Sequence, residues 1–288
     1  APFRFIYPIV RLLFHSAIFR INALVTTIWI WAATGVLFDA LPQSIPFIQN
    51  YNKQHYNASC QNWDLAFSGN RALYSANNSG LLTFDGNNWT LYTLPNQSVV
   101  NAVTVHNDTV FTGSLNDVGY WTSDINGSLT YHSLKEKFPV TLKNETFSQL
   151  ITQNGTLWMK SEHFLLQYRN GKITLAKEFT GYARLLPDLN KLRLIEQNSS
   201  VWDISDTSLS ENLSLQPASK LEAQKILTLH DDEYLICTPD EGIFISKNGQ
   251  ITEWKPEWNE ILKKAVTAFT FRRLSSFPSI HIPITTII

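Results

Sequence analysis

Between residues 51 and 254 the apolar positions do not follow a helical period. They fall in short runs rich in β-branched and aromatic side chains, each bounded by a turn signal. Runs at 72–76, 81–84 and 89–94 form one group, the last two joined at Asp85-Gly86. Runs at 110–113, 119–122 and 129–131 form a second around Asn126-Gly127, and 157–161, 164–168 and 173–175 a third around Asn170-Gly171. Runs at 234–238, 242–246 and 251–254 close the series around Asn248-Gly249. Asn-Gly and Asp-Gly tolerate positive φ at both central positions, so tight type I′ hairpins are predicted at all four sites.

The spacing of these turns carries more than the turns themselves. Gly86 to Gly127 is 41 residues, Gly127 to Gly171 is 44, and Gly171 to Gly249 is 78, two steps of 39. The intervening unit shows as runs at 192–195 and 201–204, with 205–210 in place of an Asn-Gly turn. A period near 40 with three or four short strands per unit predicts an all-β fold, a β-propeller with about five recognisable blades. An immunoglobulin-like sandwich offers no reason for such a super-period. Residues 257–264 read as a short helical linker and 265–271 as a first strand of a further blade. Beyond Arg273 the segment SSFPSIHIPITTII has neither glycine nor hairpin turn. A truncated or aberrant end and an incomplete ring are therefore expected.

The N-terminus breaks the β pattern. Residues 1–38 contain Arg4, Arg11 and Arg20 and no acid, and 21–38 (INALVTTIWIWAATGVLF) carry no charge. Eighteen apolar residues just reach the length of a membrane-crossing helix and slightly exceed a signal-peptide core. The preceding basic residues place everything after Asp39 outside the cytoplasm. The expected organisation is a hydrophobic helix within 1–40 (signal peptide or retained anchor), propeller blades over 41–264, and a further blade or aberrant end over 265–288. With Ala1 first, a fragment or processed form is expected.

Charge and composition narrow the chemistry. Charged residues make up 16% of the chain and the net charge is −1, so no basic field argues for direct nucleic-acid contact. Without residues 1–38 the chain has 20 basic against 24 acidic residues. Seven histidines show no HExxH or paired metal spacing, and neither a G-x-S-x-G elbow nor a phosphate-binding glycine run occurs. Asp85-Gly86 and Asn126-Gly127 lack the remainder of a calcium loop, and 230–233 reads as a solvated acidic run. No catalytic residue, metal ligand or cofactor is assigned. Cys60 and Cys237 lie 177 residues apart and are expected as free, buried thiols of an oxidising compartment. Ten N-x-[ST] sequons stand at Asn57, Asn77, Asn88, Asn96, Asn107, Asn126, Asn144, Asn154, Asn198 and Asn212. They fit either a secreted glycoprotein or Asn-rich hairpin turns.

Trp63, Trp89, Trp121 and Trp158 are expected to fill the spaces between blades rather than to stack on sugars. The polar turns with Asn77, Asn78, Asn116 and Asp117 sit where blade loops emerge, and such loops carry binding in rigid scaffolds. Tyr120 and Trp121 must face opposite sides of one strand, which turns one of them toward solvent. These six residues are the ligand-binding candidates.

Residues 45–134 resemble the two-component-regulator propellers of Bacteroidetes-type sensors. The resemblance rests on Asn77, Gly80, Leu81, Leu82, Phe84, Asp85, Gly86 and Trp89, then on Gly113, Gly119 and Tyr120, with Gln61, Asn62 and Trp63 fitting the short motif before the first blade. It covers about a third of the chain and implies a periplasmic sensor region. In that family a triple-tyrosine β-sandwich, a membrane helix and a histidine kinase or LuxR-type domain follow the propeller. The implied function is ligand or partner sensing, non-catalytic in itself. Its implied partners are an oligosaccharide or other periplasmic ligand, the downstream domains, the membrane through 21–38, and a second copy in a homodimer. The alternatives are a secreted polysaccharide-acting propeller enzyme and a structural cell-surface interaction module.

Overall fold

The computed structural model describes residues 49–255, apart from 70, 71, 189, 190, 207 and 231. The chain divides at Asn50, and the described structure belongs to the unit that begins at Tyr51. The hydrophobic segment at 1–40, the linker at 257–264 and the end at 265–288 lie outside the described residues. Among the described residues no helix is long and apolar enough to cross a membrane.

Twenty strands form five four-stranded antiparallel sheets, each a meander in chain order. The first contains β1 (Asn62–Phe67), β2 (Leu73–Asn77), β3 (Gly80–Phe84) and β4 (Trp89–Tyr92). The second contains β5 (Ala102–His106), β6 (Thr109–Ser114), β7 (Asp117–Ser123) and β8 (Leu129–Ser133). The third is β9 (Gln149–Gln153), β10 (Thr156–Lys160), β11 (Phe164–Arg169) and β12 (Lys172–Glu178). The fourth is β13 (Ala183–Asp188), β14 (Lys191–Glu196), β15 (Val201–Ile204) and β16 (Leu209–Glu211). The fifth is β17 (Lys225–His230), β18 (Glu233–Cys237), β19 (Ile243–Lys247) and β20 (Gln250–Glu253). A single helical turn, α1 (Lys53–Tyr56), precedes the first sheet.

The first strands of successive sheets touch one another, β1 on β5, β5 on β9, β9 on β13 and β13 on β17. They form the inner edge of a propeller-like stack, and the fourth strands form the rim. Because side chains alternate along a strand, each sheet sends one set toward each neighbour. Leu81, Val100, Val103 and Trp121 fill the space between sheets one and two, and Phe111, Phe147, Leu157 and Met159 that between two and three. Trp158, Leu165, Leu185 and Leu194 join three to four, and Ile195, Leu215, Ile226 and Ile236 join four to five. Burying one such large side chain contributes about 1.5–3 kcal/mol. The outward face of β1 is different: Trp63, Leu65 and Phe67 are 54%, 60% and 71% exposed. On the rim side of the same sheet, Tyr51 and Tyr56 pack on Trp89, 5.4 and 5.7 Å between ring centroids.

Three turn types correct the expected uniform I′ hairpins. Asn170-Gly171 and Asn248-Gly249 have positive φ at both positions, as predicted, and so do Asn154-Gly155 and Asn107-Asp108, which the pattern did not single out. At Asp85-Gly86 and Asn126-Gly127 only the glycine is positive. There an aspartate takes over the turn. Asp85 Oδ1 accepts from the N–H groups of Asn87 and Asn88, and Asp124 Oδ1 from those of Asn126 and Ser128. These side-chain bonds stabilise a wider loop than the two-residue hairpin. Asn62 and Trp63 lie within β1 rather than ahead of the first sheet. Cys237 is buried as expected, whereas Cys60 is exposed, since it stands in the irregular lead-in to β1.

Candidate functional site

In every sheet the turn between the second and third strands opens at one end of the stack, together with the connection to the next sheet. At this end the sequence placed its candidates, and the first two sheets consume them. Asn77 is fully buried. Its Nδ2 donates to Ser59 O at 2.7 Å and to Asn62 Oδ1 at 2.9 Å, while its Oδ1 accepts from the Ser79 N–H at 2.8 Å. Asn78 Oδ1 accepts from Trp63 Nε1 at 2.6 Å, and the Asn78 N–H donates to Gln61 O. Gly80 has φ 138°, and a Cβ there would lie 2.2 Å from Tyr92 O. This turn fastens the lead-in segment to the sheet and leaves no asparagine amide for a ligand.

The equivalent turn of sheet two is also built inward. Asn116, at φ 55°, accepts at Oδ1 from the Glu145 N–H and donates its own N–H to Glu145 O. Asp117 is buried, accepting from Tyr131 Oη at 3.0 Å and Ser133 Oγ at 2.7 Å. Burial pushes its carboxyl above the ordinary range, against the lowering effect of the Ser133 and Tyr131 hydrogen bonds. Gly119 lets Tyr131 lie against the strand, because a Cβ would meet that ring at 2.3 Å. Gly113 faces Phe147 O, 2.7 Å from where a Cβ would stand.

Tyr120 and Trp121 do face opposite sides, yet both sides are neighbouring sheets. Trp121 is 4% exposed and donates Nε1–H to Thr112 Oγ1 at 2.9 Å. Tyr120 stacks on His132 and borders the core shared with sheet three. The expectation of a solvent-facing member is therefore corrected. The tryptophans divide similarly: Trp121 and Trp158 fill inter-sheet cores, Trp89 stacks on Phe84 at the rim, and Trp63 is exposed. Trp63 departs from the expectation because it lies on the face of β1 that has no neighbour within the described sheets.

Sheet three holds an oriented acid–imidazole pair at the same end. Glu145 Oε1 lies 2.7 Å from His163 Nδ1, and its Oε2 accepts from Ser161 Oγ at 2.7 Å and from the His163 N–H at 3.1 Å. The carboxylate side chain is 4% exposed, the imidazole 52%. Burial alone would raise the Glu145 carboxyl; the donors from Ser161 and His163 outweigh it and hold the group below its ordinary value. An ionised carboxylate only accepts, so Nδ1 carries the proton and Nε2 is left for solvent.

Between sheets four and five, still at this end, a cleft of about 290 Å³ is lined by Tyr182, Arg184, Gln197, Glu222, Gln224 and Pro239, with Leu221 and Ala223 at its floor. Gln197 comes from the β14–β15 turn, Pro239 from the β18–β19 turn, and residues 221–224 from the connection into β17. Tyr182 is 57% exposed. The neighbouring Gln149 fixes the start of the fourth sheet, its amide bonding both Leu185 O at 2.9 Å and the Leu185 N–H at 2.8 Å. Sequence reasoning missed this cleft, because its residues come from four separate segments without a motif. The one local signal is an aromatic and a cation, Tyr182 and Arg184, at the mouth of an inner strand. Among the described residues no group of His, Cys, Asp and Glu could hold a metal ion.

No family model matches this chain, and no curated protein matches it. Solved structures do. Virginiamycin B lyase from Staphylococcus aureus, with quinupristin, is 19% identical over 72% of this chain and 73% of that one, with a TM-score of 0.51. YCF48 bound to D1 peptide is 13% identical over 80% of this chain and 77% of that one, with a TM-score of 0.52. The extracellular domain assigned to a hybrid two component system from B. thetaiotaomicron is 18% identical over 65% of this chain, with a TM-score of 0.48, and the match spans only 27% of that domain. At these identities the likeness is one of fold: an all-β stack of four-stranded antiparallel sheets.

Proposed function

We propose that this chain is an extracytoplasmic sensing propeller, non-catalytic in itself, that binds a polar small molecule between its fourth and fifth blades. The observation that carries this reading is the cleft itself. It presents an exposed tyrosine, an arginine and two glutamines on rigid strands, whereas the asparagine turns of the first two sheets are consumed by the framework. Sites of this kind combine an apolar floor with a few convergent polar groups. Both walls move only if two sheets move, so occupancy would bias their packing and could be passed to downstream domains. Residues 21–38 would serve export or anchoring, and 265–288 would begin a further blade toward closing the ring. An oligosaccharide is one ligand of suitable polarity and size.

The test is a thermal-shift screen of the full chain against neutral and acidic sugars and hydroxy acids. A ligand at about 100 times its Kd adds about 2.7 kcal/mol, readily seen at about 2–4 °C per kcal/mol in a chain of this size. At least one stabilising compound is expected, with the shift removed by Tyr182→Ala or Gln224→Leu. A screen without shifts, or shifts indifferent to both substitutions, overturns the reading.

A further inference from the structure

Lys160 and Arg184 are two cations without an anion. Lys160 ends β10 and is 6% exposed, and among the described residues it has no hydrogen bond or ion pair. Its Nζ lies 5.7 Å from the centroid of Tyr182. The Arg184 guanidinium lies 5.8 Å from the same centroid, also without an ion-pair or hydrogen-bond partner among the described residues. Tyr182 and Arg184 both line the cleft.

The nearest acids do not fill this gap. Glu145 gives its oxygens to Ser161 and His163, and Glu162 accepts from the Thr146 N–H. Elsewhere the molecule pairs its buried cations directly: Arg193 with Asp188 and Asp203, Lys177 with Glu196. An ammonium is rarely buried without a partner, because losing its water is costly. A tyrosine face offsets part of that loss but supplies no net charge. Burial holds the Lys160 ammonium below its ordinary range; Glu162 counteracts this, and the positive charge of Arg184 adds to it.

We infer that the missing anion is the ligand: the cleft takes a compact molecule bearing one carboxylate, which Arg184 grips and Lys160 attracts from behind Tyr182. Arginine presents a planar fork matched to a carboxylate. The far wall carries Glu222, Gln197 and Gln224. A second carboxylate would meet Glu222 there, whereas hydroxyl groups find acceptors and donors. The occupant is thus a hydroxylated monocarboxylate. This rests on the cleft being the sensing site.

The experiment is titration calorimetry of the full chain with sodium D-glucuronate, D-glucose and sodium acetate at fixed ionic strength. Glucuronate and glucose differ only in a carboxylate, and acetate supplies the carboxylate without the hydroxylated body. Glucuronate is expected to bind about tenfold or more tightly than either. Arg184→Gln should remove that advantage and leave glucose binding unchanged. Lys160→Met, which keeps the packing volume, should lower glucuronate affinity alone. Should Lys160→Met fail to fold, Arg184→Gln at a half-buried position still decides. Equal glucose and glucuronate binding, lost in Gln224→Leu, overturns the carboxylate while leaving the sensing site in place. Glucuronate binding untouched by Arg184→Gln, or absent altogether, overturns the inference.

Discussion

The left-handed backbone positions of this chain are occupied by asparagine for a local reason. Asn57, Asn107, Asn144, Asn154 and Asn198 all have positive φ, a conformation asparagine tolerates better than other side-chain-bearing residues. Each is followed two positions on by Ser or Thr, which in Thr109 and Thr156 opens the next strand. Half of the sequons are thus explained by turn chemistry, and Asn77 is buried within the framework. Single cysteines can be read the same way. Burial pushes the Cys237 thiol up to about 12, so near neutral pH it is both protonated and shielded, while Cys60 is exposed. A thiol reagent at pH 8 should therefore titrate one cysteine per native chain, at residue 60, and a second only after unfolding. Two fast thiols would contradict the burial of β18; no thiol in either state would mean a disulfide.

At the scale of elements, the second, third and fourth strands of most sheets were legible because they are short, apolar and joined by Gly-containing turns. The inner strands were not. Gln149–Gln153 and Lys225–His230 follow long connections, and their polar ends bond neighbouring sheets instead of marking a hydrophobic run. Gln149 holding Leu185 and Asp64 holding the Val103 N–H are examples. The candidate site was less legible than the fold for a related reason, since turn asparagines look like ligand donors until their partners are known. Glu145 gave no signal at all, yet it ties three segments: Asn116 binds its backbone, and Ser161 and His163 its carboxylate. Its folded pKa lies below the ordinary value, so its stabilisation is fully present above the unfolded pKa of about 4.3. It is lost as pH falls through the lower folded value. Near pH 6, Glu145→Gln should cost about 1.5–3 kcal/mol in urea unfolding, the range for hydrogen bonds to a charged group. The gap to the parent chain should close as pH drops below about 4. A gap that stays constant down to pH 3 would mean the carboxylate charge contributes nothing.

For the whole molecule, the governing fact is that each apolar cluster belongs to two adjacent sheets, so every sheet is stabilised by its neighbours. The joint between sheets four and five adds a polar pin. Arg193 in β14 is fully buried. Its Nε donates to Asp203 at 2.9 Å, one terminal nitrogen to Asp188 at 3.1 Å and the other to Thr228 Oγ1 of β17 at 2.7 Å. The guanidinium also lies 5.2 Å from the Tyr234 ring. Asp188 in turn accepts from the N–H and Oγ of Thr228, at 2.8 and 2.7 Å. Arg193→Ala strands two acids beside an emptied core and should cost about 3–5 kcal/mol. Contacts run from neighbour to neighbour, so the loss should be local before it is global. Amide hydrogen exchange should show early loss of protection in β17 to β20, with β2, β6 and β10 still closed. Uniform loss across all five sheets would instead make the stack one cooperative unit. The same joint forms both walls of the cleft, so a ligand that bridges Arg184 and Gln224 must also oppose this opening. In Arg193→Ala, saturating ligand should restore protection to the fifth sheet by the free energy its affinity supplies, which links the stability of one interface to the signal it would send.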